Sequence, residues 1–334
     1  MNIAFAGFRH GHIFTLYMQA KNHPDIHIAA AWEENDEARK EAESRGVTFN
    51  CVGYDDMLTY PGIDAVAIGD YYGIRGERVI KALKAGKHVV ADKPICTTLA
   101  ELDEIEWLSS EKNLKVGCML DLRYLRSAAA AKEIISGGRL GKIHAICFGG
   151  QHSLNYGTRA KWYFEKGKHG GTINDIAVHG IDLIRYITGL ELEDIIAARC
   201  WNAFAREVKE FKDCAQFMAI FGGGAGLIAD VSYSLPEGCG FDMTKPWRFT
   251  FWGENGVLEF DANSDTILLE MAGADTPEII KPEPSSSNTI IDFLADINGV
   301  PNELDTENVF KSSRSTLMIQ DFANKSEGDK FEKI

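Results

Sequence analysis

Residues 63–94, IDAVAIGDYYGIRGERVIKALKAGKHVVADKP, run from strand to helix and back to strand. IDAVAIGD is a short, mostly apolar run that ends in Gly69 and Asp70, the mark of a strand buried on both faces. ERVIKALKAGK then places its apolar residues at helical spacing and carries a Gly stop at position 86. HVVADKP is a second buried strand, closed by Asp92, Lys93 and Pro94. Two such strands joined by one helix make a parallel crossover unit.

The same alternation extends in both directions. Upstream lie the strand NIAFAG (2–7), a helix from Gly11 to Lys21, the strand IHIAAAWEEN (26–35) and the charged helix DEARKEAESRG (36–46). Downstream come the amphipathic helix LAELDEIEWLSSEKN (99–113) and the strand LKVGCML (114–120). This pattern predicts a doubly wound parallel sheet over residues 1–121. Beyond residue 121 one helix, Ser127 to Ser136, leads into longer alternating segments: 142–153, 194–204, 214–234, 247–260 and 266–271. FGGGAG and GENG supply hairpin-like turns, and KPEPSSSN (281–288) is a loop before a final helical section. Residues 122–334 are therefore expected to form an α+β domain with a large, mostly antiparallel sheet. A chain of 334 residues suits two such domains.

Composition removes several function classes. A net charge of -14 argues against nucleic acid and anionic membrane as partners, because both reward clustered Lys and Arg. No apolar run approaches a membrane span, and the opening residues read as a strand and not as a signal peptide. The seven cysteines are scattered without a C-x-x-C pair, as expected of reduced thiols in the cytoplasm.

The turn Gly7-Phe8-Arg9-His10-Gly11-His12 connects the first strand to a helix, whose N-terminus offers backbone N–H groups to a phosphate. The G-x-G-x-x-G fingerprint is broken, because Arg9 and His12 stand where glycines belong; a strand-to-helix turn of any α/β protein reads the same. Glu33, at the end of the second strand, lies at the interval where an acid meets the adenosine ribose, and Glu34 would repel a 2′-phosphate. The pattern favours NAD over NADP. The other reading is that Glu33 merely starts a solvated helix. An H-x-H at such a turn is poorly placed for a closed ligand set and no partner cluster appears, so no metal is expected.

GGTINDIAVHGIDLIRYITG (170–189) puts Asp175, His179 and Asp182 at spacings of four and three on an apolar helix. Buried groups of this kind are either paired or used chemically. With GKHVVADKPICTT (86–98) and the opening turn, this segment resembles the Gfo/Idh/MocA family of glucose–fructose oxidoreductase and inositol dehydrogenase relatives. That family has Glu-Lys-Pro where this chain has Asp92-Lys93-Pro94, followed by G-G-x-x-x-D-x-x-x-H-x-x-D, matched here by Gly170, Gly171, Asp175, His179 and Asp182. The resemblance also covers 64–89 and the segments around 120–125 and 134–143, and so spans at least the first 190 residues.

The resemblance implies a Rossmann nucleotide domain and a hydride transfer between NAD and a hydroxyl of a sugar, cyclitol or related polyol. Lys93 would orient the substrate hydroxyl and the nicotinamide ribose. His179 would move the hydroxyl proton, and Asp175, lying with it across the cleft, would hold the substrate or tune the imidazole. Asp182 reads as a supporting partner. Gly69, Asp70 and Asp92 join the opening turn and Glu33 as cofactor-side residues. Asp70-Tyr71-Tyr72 and Arg75 depart from the family's Thr-Pro-Asn and His, and would line the nicotinamide side. Arg123, between Asp121 and Tyr124, follows the last strand where the family places cleft residues. Tyr156, Arg159 and Trp162, with Lys161 and Lys168, could bind a polyol or could equally be core and solvated loop. An NAD-retaining glycosidase and a non-catalytic NAD-binding regulator are alternatives on the same fold. The family also often forms homodimers or homotetramers through the second sheet, to which AQFMAIF and WRFTFWG could contribute.

Overall fold

The structure is a computed structural model that describes residues 1–236, 246–283 and 287–326; the loop residues 284–286 within KPEPSSSN lie outside it. The chain forms two compact units. The first comprises Met1–Met119, Ala160–Gly170 and Ser287–Arg314; the second comprises Leu120–Arg159, Gly171–Ser286 and Ser315–Ile334. The first unit therefore takes in two segments beyond residues 1–121.

In the first unit, β1 (Asn2–Ala6), β2 (His27–Trp32), β3 (Ala65–Ile68), β4 (His88–Ala91) and β5 (Val116–Cys118) form a parallel sheet in the order β2-β1-β3-β4-β5. The intervening helices are α1 (His12–Asn22), α2 (Asp36–Ser44), α3 (Tyr54–Leu58), α4 (Tyr72–Lys84) and α5 (Leu99–Lys112). Local chemistry fixes their starts. Asn35 accepts from the Ala38 N–H to cap α2, and Thr98 with Glu101 forms a capping box on α5. Ile3, Phe5, Ile13, Leu16 and Val90 build the core, joined by Phe293 of α8 (Thr289–Ile297). The strand order reverses between β1 and β3, and ligands of doubly wound sheets bind outside the strand ends at such a switch point.

The second unit contains α6 (Arg126–Ser136), α7 (Val178–Thr188) and an eight-stranded sheet. Its strands are β6 (Ile143–Ser153), β7 (Leu192–Trp201), β8 (Cys214–Phe221), β9 (Ala225–Leu235), β10 (Trp247–Gly253), β11 (Gly256–Asp261), β12 (Ile267–Met271) and β13 (Glu278–Ile280). They run in the order β13-β12-β11-β10-β6-β9-β8-β7, antiparallel except for the β6–β9 pair. Alternation sorts the faces: Phe148, Phe217, Phe249 and Phe251 are buried, whereas Met218, Ile228 and Trp252 are exposed on the other side. The aromatic residues of AQFMAIF and WRFTFWG are thus divided between core and open face. A helix α9 (Thr306–Ser326) ends the described chain. No described helix is long and apolar enough to cross a membrane.

Candidate active site

In the first unit the β1–α1 turn meets the end of β3. Gly7 has φ of +75°, and a Cβ there would lie 2.7 Å from the Asp70 backbone nitrogen, so neither conformation nor space admits a side chain. Helix α1 has no side-chain cap and no acid in its first turn, and nothing lies within 4 Å of a Cβ built on Gly11. An uncapped helix N-terminus beside open space at the switch point fits a dinucleotide phosphate.

Glu33 is buried and already engaged. Its carboxylate accepts the Phe8 N–H at 2.5 Å, the Asn35 N–H at 2.7 Å and Arg9 Nε–H at 2.8 Å. It ties the turn to the end of β2, and the arginine that breaks the glycine fingerprint is what covers it. Arg9 and Arg78 both approach Glu34, at 3.4 and 3.7 Å. Asp70 is buried close to Glu33, and burial followed by that charge pushes its carboxyl up to about 6.

At the end of β4, Lys93 is 1% exposed, its ammonium 5.8 Å from the centre of the Tyr72 ring, and the Lys93–Pro94 peptide is cis. Arg75 is fully buried as a clamp. Its Nη1 donates to the carbonyls of Asp92 (3.0 Å) and Pro94 (2.9 Å), and its Nη2 to that of Asp70 (2.6 Å). It therefore fixes the strand end that presents Lys93 and is not an open nicotinamide-side group, a correction to the sequence reading.

Asp92 holds a pair of imidazoles. His10 Nδ1 lies 2.5 Å from Oδ2, and His12 Nδ1 lies 3.2 Å from Oδ1. Burial lowers the His10 imidazole to about 4 despite Asp92. Burial alone would raise Asp92, but His10, His12 and Arg75 outweigh it and hold the carboxyl well below its ordinary range. The H-x-H does have a partner, one that lies 80 residues along the chain from His12 and is hidden from sequence reading.

Residues 160–170 add an aromatic wall to the same unit. Trp162 is stacked on Tyr163 at 3.9 Å and donates Nε1–H to the Arg9 carbonyl at 3.3 Å. The Tyr163 and Tyr72 hydroxyls are 3.0 Å apart, and His169 lies against both rings. Trp162 is 5% exposed and lies within this wall. Tyr163 reads in the sequence, with Trp162, as core packing, and His169 has no signal beyond its place before the glycine pair.

In the second unit, Ile173–Ala177 is a π-helical turn that runs directly into α7. Gln320 accepts from the Ile173 N–H (3.0 Å) and the Asn174 N–H (3.3 Å), satisfying the start of the turn. Asp175 is 2% exposed and accepts a hydrogen bond from the Tyr233 hydroxyl. The Arg159 guanidinium lies 5.0 Å over the Tyr233 ring while donating to the carbonyls of Leu154 and Ser153. His179 packs edge-on against Trp247 at 5.6 Å, and His152 packs against both Trp247 and Tyr233. Tyr233, Trp247 and His152 were missed because each sits in a strand whose period-2 pattern reads as core.

Asp182 and Arg123 answer each other. Arg123 Nε and Nη2 donate to the two carboxylate oxygens at 2.6 and 2.7 Å, with both residues buried. Arg123 is committed to helix α7 by this fork, against the expectation that it faces a substrate. Tyr156 is 44% exposed on the β6–α7 connection and is hydrogen-bonded to the Glu207 side chain.

The comparisons agree with this architecture. Residues 1–119 match the model described as "Oxidoreductase family, NAD-binding Rossmann fold", and residues 128–259 match "GFO/IDH/MocA C-terminal domain". The 1,5-anhydro-D-fructose reductase of Ensifer adhaerens is 27% identical over 159 residues, 47% of each chain. The levoglucosan dehydrogenase of Pseudarthrobacter phenanthrenivorans is 30% identical over 163 residues, 47% of this chain and 41% of the relative. The matched stretch thus spans about half the length of these relatives. A solved structure of levoglucosan dehydrogenase in complex with NADH and levoglucosan superposes with a TM-score of 0.80 at 20% identity, covering 97% of both chains, which is a likeness of fold. With a matching model on each of its two parts, the chain belongs to the Gfo/Idh/MocA family.

Proposed function

We propose that the protein is an NAD-dependent oxidoreductase that moves a hydride between nicotinamide and a secondary hydroxyl of a sugar, cyclitol or related polyol. The observation that carries this reading is Lys93: a lysine 1% exposed at the carboxyl end of a central parallel strand, where doubly wound sheets bind their ligands. The uncapped α1 turn would hold the NAD phosphates; bound there, the cofactor would accept or return the hydride. Both relatives named above carry dehydrogenase or reductase names for carbohydrate substrates, in line with this class.

Lys93, held by the Arg75 clamp, orients the substrate hydroxyl and the nicotinamide ribose. His179 takes or returns the hydroxyl proton, since imidazole titrates near neutral pH. Asp175, fixed by the Tyr233 hydroxyl, holds the substrate or tunes the imidazole. NAD is favoured over NADP by the half-exposed Glu34 at the end of β2, which would repel a 2′-phosphate; Glu33 beside it is taken up by the turn. Tyr156, Arg159 and Trp162 are the further candidates for contact with a polyol.

The test is reduced-nicotinamide absorbance with NAD, then NADP, against sugars, inositols and sugar acids. Turnover with one of them is expected, reduced by roughly 10²–10⁴ in Lys93→Ala and His179→Ala. Turnover that survives both substitutions would refute the assignment, and failure to bind either nucleotide would refute the cofactor.

A further inference from the structure

His10 and His12 stand in the β1–α1 turn and Asp92 stands at the end of β4, and all three belong to the first unit. His12 and Asp92 stand where the chain departs from the fingerprint and from Glu-Lys-Pro, and His10 lies between them. One carboxylate faces two imidazoles, each presenting Nδ1, with one oxygen opposite each ring. The ligand atoms of the three residues lie within 4.8 Å of one another. The rings meet edge to face at 4.5 Å.

The surroundings hold the carboxylate in place and leave one side open. Asp92 Oδ1 also accepts the Lys93 N–H at 2.7 Å, and Arg75 Nη2 lies 3.7 Å from Oδ2, so the carboxylate plane is fixed from behind. On the other side Gly11 separates the two histidines, with open space where its side chain would be. The His12 side chain is 38% exposed and that of His10 12%, so the pair is reached from solvent.

We propose that His10, His12 and Asp92 bind a divalent transition-metal ion. Two imidazoles and one carboxylate suit the borderline ions, Zn²⁺ and Co²⁺ among them; Mg²⁺ and Ca²⁺ require more oxygen donors. Three protein ligands leave coordination positions for water or an anion on the Gly11 side. Arg75 opposes the ion's charge, which makes this a weaker site than a closed four-ligand centre. The assignment does not depend on the hydride-transfer reading.

The experiment is a Co²⁺ titration of the untagged, chelator-treated full chain, read by visible absorption and by displacement with Zn²⁺. NADH fluorescence is titrated in the same samples, so that failure of nucleotide binding is seen separately. One equivalent of Co²⁺ is expected, displaced by Zn²⁺ and not by Mg²⁺. Affinity should fall roughly 100-fold in His10→Ala and in Asp92→Asn, with an unchanged circular dichroism spectrum. The wild-type titration needs no variant: absence of a stoichiometric Co²⁺ spectrum overturns the proposal, as does full binding by a folded His10→Ala, His12→Ala double variant.

Discussion

Removing the Asp182 carboxylate is expected to weaken the second unit without touching the first. In Asp182→Ala the Arg123 guanidinium loses both short bonds, at 2.6 and 2.7 Å, at a site where it is 3% exposed. Breaking one side of a buried pair costs about 3–5 kcal/mol, mostly the cost of stranding the remaining charge. For a unit of this size, each kcal/mol lowers the midpoint by roughly 2–4 °C, so the loss should be roughly 6–20 °C. The companion variant Arg123→Met with Asp182→Leu removes both charges, and is expected to recover most of the loss. Thermal unfolding followed by circular dichroism gives the size of the effect. Hydrogen exchange of the peptide spanning 172–189 places it on α7. A single variant within about 1 kcal/mol of wild type, or a double variant no better than the single, would refute the account of this pair as a charge buried against its partner.

Two further outcomes follow from the electrostatics and the sheet. Asp70 titrates near 6 in the folded protein against an ordinary value of 3.8, so its contribution to stability is full below pH 3.8 and lost as pH rises through about 6. Asp70→Asn should therefore match wild type in urea unfolding near pH 4 and exceed it by up to about 3 kcal/mol above pH 6; a pH-independent difference would count against burial beside Glu33 as the cause. The open sheet face, with Ile228 56% and Trp252 49% exposed, is expected to form the contact of a homodimer or homotetramer. Ile228→Asp should lower the mass measured by light scattering, and an unchanged mass would show that this face forms no such contact.

The parallel sheet was legible because each of its strands is a short apolar run closed by Gly or a charged residue, and each helix carries its own stop. Local signals of that kind report local structure. They cannot report that residues 160–170 and 287–314 pack with the first unit, because nothing in their periodicity names a distant neighbour. The same limit governs the site. Lys93, Asp175 and His179 could be singled out from spacing and resemblance, but not the partners that hold them. Arg75 reaches carbonyls at 70, 92 and 94, Tyr233 comes from a strand 58 residues away from Asp175, and Asp92 lies 82 residues from His10. Arg123 looked like a cleft residue because the family places such residues after the last strand of the nucleotide domain; its bidentate fork on Asp182 is a matter of tertiary placement.

The π turn at Ile173–Ala177 has a consequence for chain length. An i→i+5 turn holds one residue more than the α-helical turn it replaces, so it acts as an insertion absorbed within a single turn. Shortening this stretch by one residue would restore an ordinary helix and leave the flanking turns in phase. The Arg123 fork on Asp182 would keep its place. Asp175 would swing by about one residue's arc, roughly 100°, away from the Tyr233 hydroxyl. The carboxylate's aim and the helix's anchorage can therefore be changed independently, within one continuous helix.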